Sequence, residues 1–104
     1  MTDRELIELA AKACGYEVSA YTGILYVHDG AANREWSPLT DDGDALRLAV
    51  MLRMNVSSWG SGASAIVSAG DDVLLAEPHY GDDPCRATRR AITRAAAEIG
   101  RNMP

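Results

Sequence analysis

The sequence contains no phenylalanine, two cysteines and four prolines, and no apolar run near the roughly 20 residues a membrane helix requires. Cys14 and Cys85 are too few for a four-ligand zinc site and lack C-x-x-C spacing, so they read as free thiols buried in helices. His28 and His79 are the only histidines, and neither has a second His or a Cys at metal-ligand spacing. Gly60-Ser61-Gly62 lacks the Lys and the Ser/Thr of a phosphate-binding loop. A nucleophile needs an adjacent base on an exposed, strained element, and both thiols fall in regular helical pattern. No catalytic, cofactor-binding or metal-ligating residue is therefore expected, and the protein is read as a non-enzyme.

What remains is ordinary globular composition. The 104 residues are 47% hydrophobic and 24% charged, with a net charge of -5, which suits one domain over residues 1–104 and disfavours disorder. With phenylalanine absent, Leu, Ile, Val, Met, Ala, two Trp and four Tyr must fill the interior. Alanine allows close approach but buries little area, at about 25 cal/mol per Å². Modest stability, or support from a homodimer, follows as an expectation. The charged start, Met1-Thr2-Asp3-Arg4-Glu5, is unlike a signal or transit peptide, and a soluble cytoplasmic protein is expected.

The pattern predicts the element order αββαβββα. Thr2 with Glu5 fits a capping box, Leu6, Leu9, Ala10 and Ala13 recur at helical spacing, and Gly15 suits the residue past the helix end. Residues 16–21 and 24–27 read as a hairpin around Thr22-Gly23. The second of these strands is apolar without alternation, as in a strand covered on both faces. Residues 28–34 are polar and turn-forming. Thr40, Asp41 and Asp42 are candidate caps for a second helix. Its Ala45, Leu46, Leu48, Ala49, Val50 and Leu52 leave few polar positions, so it should be buried on most sides. Residues 55–59, 63–68 and 73–76 read as three more strands separated by Gly/Ser/Asp turns. Asp83 and Pro84 open a third helix, and Gly100 is placed to close it. Short turns between strands impose antiparallel neighbours. The expected fold is thus α+β: an α/β/α sandwich with a mostly antiparallel sheet of about five strands and three helices. A two-layer sheet with every helix on one face is the alternative.

Candidate binding residues come from charge and aromatics. Asp41, Asp42 and Asp44 crowd the start of the second helix, where they suit the positive end of its dipole. Only fragments of a calcium loop are present there. Arg86, Arg89, Arg90 and Arg94 line the third helix opposite its apolar face, either as a solvated face or as a partner contact. A pI near 4.8 and the lack of interleaved aromatics argue against nucleic acid. Trp36, beside Leu39, is assigned to the core, whereas Trp59, beside a Gly/Ser turn, is a candidate surface anchor.

Residues 36–50 (WSPLTDDGDALRLAV), 87–100 (ATRRAITRAAAEIG) and 2–6 (TDREL) resemble the phage ABA-sandwich domain family of small bacteriophage and prophage proteins. The likeness is weakest over residues 54–82. It implies an α/β/α sandwich, a phage origin, expression inside a bacterium and an accessory role, and maps no catalytic or cofactor residue. The leading expectation is a non-enzymatic accessory protein that binds a host or phage macromolecule. The alternative is a small-ligand binder using arginine forks for a nucleotide or phosphate.

Overall fold

Each helix begins where a side chain can satisfy its first backbone donors. A computed structural model describes residues 2–28, 33–58, 64–69, 72–78 and 83–104. Helix α1 (Asp3–Cys14) starts with Thr2 Oγ1 accepting the Glu5 backbone N–H at 3.1 Å. It ends at Gly15, whose φ of +76° lets the N–H groups of Gly15 and Tyr16 donate to the Lys12 and Ala11 carbonyls, both at 3.0 Å.

Strands β1 (Glu17–Tyr21) and β2 (Ile24–His28) form the expected antiparallel hairpin. Thr22 and Gly23 both have positive φ, +52° and +81°. This pair of angles marks the two-residue turn whose twist matches the flanking strands. A β-branched residue held there costs about 1–3 kcal/mol, and the Thr22 hydroxyl donates to the Tyr21 carbonyl at 2.7 Å. Along β2, Leu25 and Val27 are buried while Ile24 is 38% exposed. The strand is therefore covered on one face, not two. A further short strand, β3 (Asn33–Glu35), pairs antiparallel with β2 inside a stretch that reads as turn. Its three polar residues give no apolar alternation. Arg34, in register with the buried Val27, anchors the strand by an inward ion pair instead.

Helix α2 (Asp42–Met51) is capped by Asp41, whose carboxylate accepts the Asp44 N–H at 2.8 Å. Strands β4 (Asn55–Ser58), β5 (Ser64–Ala69) and β6 (Asp72–Pro78) then form a second antiparallel meander, with a register shift at Val67/Ser68. Helix α3 (Pro84–Arg101) is capped by Asp83, which accepts the Arg86 N–H at 2.9 Å. The protein is α+β with three helices, as expected. A single sheet of about five strands is not confirmed. The described strands form two three-stranded sheets, β1-β2-β3 and β4-β5-β6: each strand pairs only with its neighbours in sequence, and α2 separates the two meanders along the chain. The resulting order, αβββ twice and then α, repeats a unit that no residue pattern announces.

The core lies where the three helices meet. Helix α3 packs on α1, on α2 and on all three strands of the second sheet. Ala10 and Ala11 of α1, Ala45, Leu48 and Ala49 of α2, and Ala91, Ile92, Ala95 and Ala96 of α3 join Val27 and Trp36 in one buried cluster. Trp36, only 2% exposed, meets Tyr16 edge to face with ring centroids 5.8 Å apart, so its assignment to the core holds. At about 100° per residue, the buried positions of α3, which also include Thr93, Ala97 and Gly100, cover roughly two thirds of its circumference. Gly100 does not close α3, because the helix continues to Arg101. A Cβ there would stand 2.0 Å from the Leu9 carbonyl oxygen, so this glycine sets how closely α1 and α3 approach.

Candidate partner-binding surface

The three aspartates at the start of α2 have three different roles. Asp41 caps the helix. Asp42, with its side chain 74% exposed, pairs with Arg89 at 2.6 Å. Asp44 is buried, and its carboxylate accepts the Ser37 N–H at 2.9 Å, Arg34 at 3.1 Å and Arg47 at 2.7 Å. Asp44 thereby ties the β3 edge of the first sheet to the first turn of α2. Neighbouring positions in a helix can point to solvent, to a neighbouring helix or to the interior, so an acidic run need not be one surface. Among the described residues no cluster of His, Cys, Asp or Glu could hold a metal ion.

The arginines of α3 divide in the same way. Arg89 turns toward α2, its side chain 16% exposed, and donates from Nε to the Leu39 carbonyl at 3.0 Å as well as pairing with Asp42. Two of the charged groups expected to face a partner thus meet inside one chain. Arg86 and Arg94 are exposed, and Arg90 is partly exposed beside Asp3 at 3.5 Å. These three follow one another at four-residue intervals along the outer side of α3. Trp59, the third element of the expected surface, lies outside the described residues, as do His79 and the turn at residues 60–62.

Apolar exposure, not charge, is what the sequence pattern failed to show. Helix α2 is buried only where it meets its neighbours. Leu46 is 63% exposed, Val50 67% and Met51 52%, so it is not buried on most sides. Beside Leu46 an apolar groove of about 440 Å³ runs between α2 and the first turns of α3, lined also by Val56 and by the Asp42–Arg89 pair. The repeat Asp42, Leu46, Val50 places one acid and two apolar side chains on a single helical stripe. That spacing was visible in the chain, but an amphipathic count cannot tell an apolar side that is covered from one that is open. A second groove, of about 540 Å³, separates the Arg4/Glu8/Lys12 ridge of α1 from Tyr16, Val18 and Leu25.

The remaining reactive groups are structural or isolated. His28 is held between Ser19, 3.1 Å from its Nε2, and Asn33 Oδ1, as a clasp across the first sheet. Both cysteines are free, but only Cys14 is partly covered, while Cys85 at the groove is exposed, contrary to the expectation of two buried thiols. Position decides this: Cys85 sits in the first turn of α3, ahead of its buried stretch. Burial pushes the Cys14 thiol from an ordinary value of 9.0 up to about 11. At pH 8, iodoacetamide should modify Cys85 and spare Cys14 in the folded protein, read by peptide mass mapping. Above pH 9 the unfolded thiol ionises while the folded one stays neutral. This group's contribution to stability is therefore complete below that pH and declines as pH rises toward about 11.

Among the described residues no helix is long and apolar enough to cross a membrane. Comparisons with protein families, with curated proteins and with solved structures find no match to this chain.

Proposed function

We propose that this chain is a phage- or prophage-encoded accessory protein of the bacterial cytoplasm that acts without catalysis, by binding a host or phage macromolecule. The α/β/α layering and the origin implied by the family resemblance belong to the same proposal. The observation that supports it most directly is the row Arg86, Arg90, Arg94, turned outward on a chain of net charge -5. A basic strip on an acidic protein orients an acidic partner and speeds encounter more than it adds affinity. Arg89, the arginine between them, turns instead toward Asp42 and Leu39, while Arg90 stays in the row and also pairs with Asp3 at 3.5 Å.

The test is quantitative affinity capture from infected and uninfected bacterial lysate, comparing the natural chain with R86E/R90E/R94E. A specific partner should bind the natural chain, weaken as salt rises, and be lost from the triple variant. A partner retained undiminished by the variant, or no specific partner under any condition, overturns the proposal.

A further inference from the structure

Going beyond that reading and using a different face, we propose that the outer edge of α2 is the interface for a second copy of this chain, with the two α2 helices antiparallel about a twofold axis. Two observations lead there. Leu46 and Val50, separated by one helical turn, are 63% and 67% exposed on the same stripe, an apolar edge that water covers poorly. The ends of that stripe carry opposite charge: Asp42 at the start, whose side chain stays 74% exposed while its Oδ1 pairs with Arg89, and Arg53 just past the end, also exposed. Among the described residues no carboxylate forms an ion pair with Arg53.

A surface that reads acid, apolar, apolar, base is complementary to itself when reversed. A twofold axis through the middle of α2 places Leu46 against the partner's Val50 and Asp42 against the partner's Arg53, and repeats both contacts by symmetry. Such self-complementarity is what an isologous dimer requires. A parallel arrangement would instead set like charges side by side. The antiparallel direction also opposes the two helix dipoles, bringing the positive start of each near the negative end of the other. The Leu46 side of the edge continues into the apolar groove between α2 and α3, which extends the contact. Two helices of 10 residues make a small interface. The dimer should therefore be weak, with a dissociation constant of about 10–100 μM. The arginine row of α3 lies on a different side of that helix from α2, so a dimer would display two such rows.

Sedimentation equilibrium from about 5 to 500 μM reads the association. A monomer–dimer equilibrium is expected for the natural chain, and L46D should weaken it at least tenfold. Far-UV circular dichroism and a melting curve confirm that each variant is folded. Orientation is tested by D42K and R53E. Each alone sets like charges together twice, and should be more monomeric than the natural chain. Mixed in equal amounts, they restore both opposite-charge pairs and should re-associate. A natural chain that stays monomeric at 500 μM, a dimer indifferent to L46D, or a mixture no more associated than its components overturns the proposal.

Discussion

Gly100→Ala should lower the unfolding free energy by about 2–4 kcal/mol and the melting temperature by roughly 10–20 °C, despite alanine being the better helix former. In an open helix the same change raises stability by about 1 kcal/mol. Here the added methyl would sit 2.0 Å from the Leu9 carbonyl oxygen and 2.9 Å from its carbon. Both are backbone atoms, so no rotamer change relieves the contact, and α1 must move away from α3. That movement loosens the packing of Ala10 and Ala11 against Ala95 and Ala96, all at most 1% exposed. Chemical denaturation of the variant beside R101A, an exposed neighbour expected to change little, gives the comparison. Because the two mechanisms predict opposite signs, an unchanged or stabilised G100A would refute the close approach.

Asp44→Ala should cost about 3–5 kcal/mol, the range for removing one member of a buried charged network. The carboxylate is the shared acceptor for the Ser37 N–H, Arg34 and Arg47, and is only 5% exposed. Its loss leaves the Ser37 donor without that acceptor and frees β3 from α2. Asp44→Asn keeps the shape but turns an amide N–H₂ toward donors, and should fall between alanine and the natural residue. The neighbours set the scale. Asp41→Ala loses a helix cap, about 1 kcal/mol, and Asp42→Ala removes a carboxylate that is mostly in water and should matter less. Denaturation of the three alanine variants should rank Asp44, Asp41, Asp42 in descending loss. If Asp44→Ala cost no more than Asp42→Ala, the buried network would not be holding sheet to helix.

Both predictions concern residues whose role the linear pattern misassigned, and for the same kind of reason. Gly100 stands where a closing glycine belongs, and Asp44 in a run of acids at a helix start, so local rules gave each a local role. Neither role required knowing what lies across the molecule. Arg89 was counted with a basic face because helical spacing sorts residues by angle, and its angle lies near the border. Only the position of α2 shows that it faces Asp42 and Leu39. The open apolar edge of α2 was assigned to the interior because Leu46 and Val50 resemble the buried Leu48 and Ala49 in composition.

The chain by itself determined what depends on neighbours in sequence: the helix starts at Thr2 and Asp83, the second helix's start to within Thr40, Asp41 and Asp42, the left-handed end at Gly15, and the Thr22-Gly23 hairpin. It also determined the α+β class with three helices, and the place of Trp36 in the core. Caps and tight turns are decided within about five residues by hydrogen bonds whose donors and acceptors are named in the string. Tertiary structure alone decided that the strands divide into two sheets, that β3 exists, that Gly100 is a contact, and that the acidic and basic clusters partly neutralise each other. Those outcomes follow from which surfaces meet, and a pairing between residues 47 positions apart, as for Arg89 and Asp42, leaves no periodic trace in either segment.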